Sequence, residues 1–274
     1  MVESAYPDAK TYELTIAIVI FQPDQETVLK TIQSLRHALQ LSGLTQVKIF
    51  VIDNTPAVSG HDWLLEAMEG LPFEIMSGQG NVGFGRANNI VTDAVGKYHL
   101  VLNPDVEMEP EALANAIAFM TDHKNCGLLT PKAFNPDGTR QYLCKNYPAV
   151  FDLLLRGFAP RAIKRLFAKR LNRYEMRDQI GDVVFWSPPI VSGCFMFFRG
   201  DVFKKLGGFD ARYLLYFEDF DISLRTAKFS QIAYVPTVRI VHEGGNAARK
   251  GWWHIRQFAR SALIFFSTHP LKLI

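Results

Sequence analysis

From Leu14 onwards, apolar runs the length of a strand alternate with longer stretches whose apolar residues recur every three or four positions. Residues 14–21, 47–52, 73–76 and 98–102 read as strands. Residues 26–41, 62–69, 86–95 and 110–123 read as helices, the last with proline in its first turn. This alternation predicts an α/β chain with a mainly parallel central sheet covered by helices. In such sheets ligands gather beyond the carboxyl ends of the strands, so chemistry is sought in the residues that follow each strand.

The rhythm changes after Pro131. Asn135-Pro136-Asp137-Gly138 is a turn signal between short strands, and residues 151–177 form a basic, mostly helical stretch. Residues 183–186, 193–199 and 232–235 read as further strands, with a helix over 217–228. No repeat, low-complexity run or linker interrupts the chain, so a single domain over residues 1–274 is expected, with about 14–130 and 131–238 as its halves and 239–274 as a basic extension. At 274 residues, 48% of them hydrophobic, there is enough apolar material for one sizeable core. No stretch approaches the roughly 20 apolar residues that span a bilayer. Residues 1–10 contain Glu3 and Asp8 and lack the apolar region of a secretory signal, so a cytoplasmic protein is expected. Cys126, Cys144 and Cys194 are odd in number and lack metal-ligand spacing, which suits reduced thiols.

The net charge of +3 conceals an asymmetry. Residues 1–155 carry 10 Lys/Arg against 18 Asp/Glu, a net of −8, whereas residues 156–274 carry 20 against 9, a net of +11. Eight of those cations fall within 156–177, beside one acid. A basic second half suits an anionic partner, whether phosphate, nucleic acid or an acidic lipid surface, and composition does not choose among them.

Several turns carry residues with chemical potential. Asp53-Asn54 ends the second strand, where a carboxylate either accepts from an N–H of a nucleobase or simply forms the turn. Gly78-Gln79-Gly80-Asn81-Val82-Gly83 matches the dinucleotide fingerprint, with Asp105 about 20 residues beyond. That fingerprint normally occupies the first strand-to-helix turn, and here two strands and two helices come first, which argues against a dehydrogenase. Asp105 follows the fourth strand in Asn103-Pro104-Asp105; there it either opens the turn before Pro110 or offers oxygens to a hard divalent cation that also takes diphosphate. Glu218, Asp219 and Asp221 crowd the start of a helix. The helix dipole favours such acids by a few tenths to ~1 kcal/mol, but one facing a cleft could act as a general base, ionised at neutral pH with an ordinary pKa of ~3.9. His242, just before Glu243-Gly244-Gly245, could present an imidazole to metal or phosphate from a loop, although a lone histidine is usually structural.

Taken together, Asp53-Asn54, the run from Asn81 to Asn89, Asn103-Pro104-Asp105, Ser192-Gly193-Cys194, Gly207-Gly208-Phe209-Asp210, Glu218-Asp219-Phe220-Asp221 and His242 resemble family 2 glycosyltransferases in order and spacing, over about residues 14–270. The likeness is greatest to bacterial rhamnosyltransferases that build O-antigen of lipopolysaccharide and other cell-envelope polysaccharides. The resemblance implies the GT-A fold, a Rossmann-like nucleotide-diphospho-sugar transferase architecture. Residues 14–130 would hold the nucleotide sugar and 131–238 the acceptor. By position, Phe21 and Asp53 would grip the base, while Asn81, Gly83 and Arg86 would approach ribose and diphosphate, the glycines letting backbone N–H groups near phosphate. Asp105, with Asn103 where the family often has a first acid, would hold Mg²⁺ or Mn²⁺ with His242. Asp219 would be the base of an inverting displacement, with Gly193, Cys194, Glu218, Asp221 and Arg225 supporting the acceptor pocket. The implied donor is dTDP-rhamnose, with a UDP-hexose or UDP-N-acetylhexosamine as the alternative, and the implied acceptor is a saccharide, often linked to a lipid diphosphate.

Residues 250–266 set Trp252, Ile255, Ala259, Leu263 and Phe266 at helical spacing, with Arg256 and Arg260 elsewhere on the wheel. Such a basic amphipathic C-terminal helix either covers the core or lies on an anionic membrane, which for this family would be the inner face of the cytoplasmic membrane. A nucleic-acid partner is not expected, because no recognition motif is present and the expected cleft carries carboxylates. Intact Asp105, Asp219 and His242 argue against an inactive scaffold.

Overall fold

The computed structural model describes residues 12–56, 60–244 and 251–274; residues 1–10, Gly245 and Lys250, which figure in the sequence reading, lie outside the described residues. The first half follows the expected alternation: β1 Leu14–Ile20, α1 Gln25–Ser42, β2 Val47–Asp53, α2 Asp62–Met68, β3 Phe73–Met76, α3 Phe84–Asn89 and β4 Tyr98–Leu102. These four strands pair in parallel in the order β3-β2-β1-β4, with Ile16 of β1 between Ile49 and Leu100. Every residue of β1 is buried, as a parallel strand covered on both faces requires. Its side chains divide by parity. Leu14, Ile16, Ile18 and Ile20 join Val28, Ile32 and Leu35 of α1 on one face, and Ala17 and Val19 meet Ala87 and Val91 on the other. Asp24 caps α1 by accepting from the Thr27 N–H at 3.0 Å, and Gly43, in the left-handed region at φ 68°, ends it.

The helix expected over 86–95 is instead α3 followed by a single 3₁₀ turn, Thr92–Ala94. Asn88 Nδ2 donates back to Phe84 O and Asn89 bonds Phe209, while β-branched Ile90, Val91 and Thr92 follow, so helix propagation is opposed on both counts.

The second half adds β5 Val106–Met108, α4 Ala112–Asp122, β6 Cys126–Phe134, β7 Arg140–Gln141, β8 Cys144–Lys145, α5 Val150–Phe158, α6 Arg161–Leu166 and α7 Ala168–Tyr174. There follow β9 Phe185–Trp186, β10 Ile190–Val191, β11 Phe195–Arg199, α8 Gly200–Leu206, α9 Glu218–Thr226, β12 Gln231–His242 and α10 Gly251–Thr268. The main sheet runs β3-β2-β1-β4-β11-β6-β12-β5, and only β11 and β5 oppose the other six, so the sheet is mixed with mostly parallel strands. Its far side must curl. In a flat sheet, β5 would lie four strand spacings from β4, about 19 Å, yet Val106 follows Leu102 by four residues that reach at most about 14 Å. The chain leaving β4 therefore crosses the mouth of a curled half-barrel through Asn103-Pro104-Asp105.

Two expectations change here. The strand expected over 232–235 extends to His242, its pairing with β6 shifting between Val235 and Arg239 around Pro236, where a ladder donor is missing. In α10 the buried positions are Gln257, Ser261 and Phe265, so Trp252, Ile255 and Leu263 do not cover the core. Phe265 packs with Leu153, Tyr174, Tyr213 and Phe217; Ser261 Oγ donates to Leu215 O, and His269 Nε2 lies 2.9 Å from Asp221 Oδ1. Among the described residues no helix is long and apolar enough to cross a membrane.

Candidate active site

Asp53 ends β2 and is buried, its Oδ1 accepting from the Thr55 N–H at 2.8 Å and its Oδ2 lying 3.0 Å from His61 Nε2. Phe21, just past β1, is 45% exposed beside this strand end. Gln79 Nε2 donates to Asp53 O and Asn54 Oδ1, and Asn54 Nδ2 donates to Gly83 O, which ties the loop before α3 to the end of β2.

Two amides at the start of α3 are used internally. Gly83 N–H donates to Asn81 Oδ1 at 3.2 Å and Phe84 N–H to Leu214 O at 3.3 Å. Gly83 sits at φ 92°, and a Cβ there would stand 2.3 Å from Leu214 O, so the glycine permits the close approach of the Leu214 backbone. Arg86 Nε likewise donates to Ala211 O at 2.5 Å. Gly83 and Arg86 thus meet the loop through residues 211–214, and Asn81 braces the turn before α3.

Asp105 and His242 meet because of strand pairing. Asp105 directly precedes β5, and β5 pairs with β12 in the register His242↔Val106. Asp105 Oδ1 lies 3.4 Å from His242 Nε2, and His242 Nδ1 lies 2.9 Å from Gln141 Oε1. Burial would raise the Asp105 carboxyl, but the His242 ring outweighs it and holds it below the ordinary range. Burial would lower the His242 imidazole, yet the Cys194 sulfur and Asp105 carboxylate reverse this and raise it to about 10. Asp105 Oδ1 is buried without a hydrogen bond. Among the described residues no three His, Cys, Asp or Glu side chains cluster as a full metal cage. The pair nonetheless fits a hard divalent ion, which takes few protein ligands and completes its shell with phosphate oxygens and water. Asn103 joins them through its backbone, its N–H donating to Cys194 O at 2.8 Å.

The three acids of α9 have separate fates. Asp219 is half-buried; its Oδ2 accepts from Gly193 N–H at 3.1 Å and its Oδ1 from Phe220 N–H at 3.0 Å. A Cβ on Gly193 would stand 3.3 Å from Asp219 Cβ, so only glycine lets this amide approach without displacement. Burial pushes the Asp219 carboxyl up, opposed by these N–H donors and by the Arg156 charge. Glu218 is buried with Oε2 lacking a partner, and burial and the neighbouring Asp219 charge both raise it. Of the two, only Asp219 has backbone N–H donors that favour its charged form. Asp221 is buried in a different network: Arg225 Nε donates to its Oδ2 at 2.6 Å, and Arg225 also donates to Leu206 O and Gly208 O. Asp221 and Arg225 pin α9 to α8 and α10, and neither lines the cavity.

That cavity, of about 390 Å³, has Asp219, Ser192 and His242 in its wall. Its remaining charged lining, Arg140, Lys145, Arg156, Glu175 and Arg177, carries no residue-by-residue signal in the sequence. Arg156 and Arg177 stood only as part of a basic stretch, and Arg140 and Lys145 sit on two-residue strands with no periodicity to reveal them.

A curled mixed sheet that presents an acid beyond its fourth strand, with helices around it, is the GT-A glycosyltransferase fold. GalNAc-T7, solved with UDP, GalNAc and Mn²⁺, superposes with a TM-score of 0.59 at 15% identity, covering 84% of this chain and 42% of its own. The mannosyltransferase PcManGT of Pyrobaculum calidifontis, solved with GDP-Man and Mn²⁺, gives 0.58 at 17% identity over 96% of this chain and 66% of its own. The protein belongs to glycosyl transferase family 2, whose pattern its residues 15–207 match. It is 26% identical over 205 residues to the N-acetylglucosaminyl-diphospho-decaprenol L-rhamnosyltransferase of Mycobacterium tuberculosis, covering 68% of this chain and 64% of the relative's length. It is also 26% identical over 200 residues to rhamnosyltransferase WbbL of Escherichia coli K12, covering 66% and 70%.

Proposed function

We propose that this protein is an inverting, metal-dependent rhamnosyltransferase that moves L-rhamnose from dTDP-rhamnose to a saccharide carried on a lipid diphosphate, in assembly of a cell-envelope polysaccharide such as O-antigen. The observation that carries the reading is Asp219, held by two backbone N–H groups in the wall of the cavity that His242 also lines. Charged and positioned in this way, Asp219 accepts the proton of an acceptor hydroxyl as its oxygen attacks C1 of the donor sugar. The bond from C1 to the diphosphate oxygen breaks with its electron pair going to dTDP, and attack opposite the leaving group inverts C1. Phe21 and Asp53 bind the base and fix the donor's orientation. Asp105 and His242 would hold Mg²⁺ or Mn²⁺, which neutralises charge on the departing diphosphate.

A lipid-linked acceptor accords with the rhamnosyltransferase relatives and with the surface of α10. Trp252 is 82% and Leu263 75% exposed, and Arg256 and Arg260 are exposed on the same helix. Large apolar side chains among cations suit an anionic bilayer surface, so the protein works peripherally at the cytoplasmic face of the membrane.

Titration calorimetry with dTDP and UDP, each with Mg²⁺ or Mn²⁺ and then EDTA, tests the donor: metal-dependent dTDP binding that exceeds UDP supports it, and a UDP preference overturns the rhamnose assignment. Asp219→Asn is expected to lower transfer by about 10²–10⁴-fold while dTDP binding stays within twofold of the wild type. Equal loss of both would remove Asp219 from the role of base.

A further inference from the structure

The cavity beside Asp219 carries more positive charge than the chain itself compensates. Arg140, Lys145, Arg156 and Arg177 line it, against the carboxylates of Glu175 and Asp219. Glu175 serves three of the cations at once. Arg177 Nε and Nη2 donate to its Oε2 at 2.8 and 2.6 Å, while Arg156 Nε and Lys145 Nζ stand 3.7 and 3.9 Å from its Oε1, too far for good hydrogen bonds. Burial would raise the Glu175 carboxyl, but Lys145 and Arg177 more than offset it and lower it. Lys145 is buried, and burial together with the like charge of Arg156 lowers its amine to about 7, which one shared carboxylate fails to reverse. Arg140 is held in place by Gly181 O and Tyr234 Oη, each at 2.8 Å from Nη2. A buried amine, one of whose N–H groups donates to Tyr142 O, and converging guanidinium groups form a site for an anion of several oxygens, such as a phosphate or diphosphate, which guanidinium groups bind with paired N–H donors.

We infer that this cluster is the acceptor's phosphate subsite: Arg140, Lys145, Arg156 and Arg177 bind the phosphate or diphosphate at the reducing end of the acceptor sugar, while Asp219 meets that sugar's hydroxyl. The inference rests on the glycosyl-transfer reading of Asp219. His242, which with Asp105 would hold the donor's metal, stands in the wall of the same cavity, so the donor's diphosphate meets the cavity at that edge, and the four cations, which come from β7, β8, α5 and the segment after α7, serve a second anion. Base and cations share one cavity of about 390 Å³, so one acceptor reaches both, a sugar joined through phosphate to its carrier. A reaction that transfers a sugar 1-phosphate to a carrier phosphate must supply it.

The test uses the full chain in EDTA without donor, which removes any metal route to phosphate. The probes are an N-acetylhexosaminyl-diphospho-alkyl compound, the alkyl glycoside of the same sugar without phosphate, and inorganic pyrophosphate. The diphospho compound is expected to bind at least 10-fold more tightly than either of the others. Arg156→Gln, at a partly exposed side chain, and Arg177→Gln should each erase most of that preference, with metal-dependent dTDP binding unchanged. Equal binding of the charged and neutral sugars, or a matching loss of dTDP affinity in both variants, would overturn the subsite. Pyrophosphate binding as tightly as the diphospho sugar would also overturn its assignment to the acceptor. If dTDP fails to bind while the charge preference persists, the donor reading fails and the subsite stands.

Discussion

Asp219 and its two neighbours show how one short acidic run divides its labour. Three carboxylates at the head of a helix were evident in the sequence, but their roles depend on what each meets. Glu218 enters the core, Asp221 meets Arg225 and His269, and Asp219 alone faces the cavity with Gly193 N–H on its oxygen. Gly193→Ala places a methyl 3.3 Å from Asp219 Cβ and should displace the carboxylate by a few tenths of an ångström. The expected result is a fall in kcat on the order of 10-fold with dTDP affinity within twofold, read by steady-state kinetics and calorimetry. Glu218 gives a pH signature in stability. Its folded-state carboxyl is raised by burial, so the stability it contributes is full below the ordinary carboxylate range and is lost as pH rises through the raised value. Melting temperatures measured from about pH 6 to about pH 9 should fall in the wild type, and Glu218→Gln should flatten that fall. An unchanged slope would place the raised proton elsewhere.

Asp105 and His242 are separated by 137 positions, and the pairing of β5 with β12 makes them neighbours. The strand leading to Asp105 was legible because β4 is a mostly apolar run broken only by His99; β5, three residues long, and the extension of β12 past its bulge were not. Short strands carry too few residues to show period-two alternation, and proline at 236 reads as a strand end rather than a bulge. Asp105→Ala should weaken Mg²⁺- or Mn²⁺-dependent dTDP binding on the order of 10–100-fold and His242→Ala in the same direction, leaving binding in EDTA unaltered. Metal dependence that survives Asp105→Ala intact would remove the pair from metal binding. At α3 the glycine-rich pattern also serves packing, since Gly83 admits the Leu214 carbonyl, and sequence does not distinguish a ligand's approach from that of the chain's own backbone.

Across the molecule, the charge asymmetry of the sequence separates into two uses. Some cations of the basic second half line the cavity, and others, Arg256 and Arg260 among them, stand exposed on α10 with Trp252. Replacing Arg256 and Arg260 by Gln removes about 1 kcal/mol per basic residue near an anionic surface, on the order of 30-fold in partitioning for the two. Flotation with anionic vesicles at low salt should show that loss, while transfer to a water-soluble acceptor stays unchanged. Failure of the wild type to float would discard the membrane face. The α/β class, the parallel first half, the acids at strand ends and the membership of family 2 all follow from local periodicity and motif order, because these depend on residues near one another in the chain. Which acid faces the cavity, which histidine meets it, which face α10 buries and where the cations converge depend on contacts between distant segments. Those were fixed by the curl of the sheet and the register of its short strands, which no local pattern encodes.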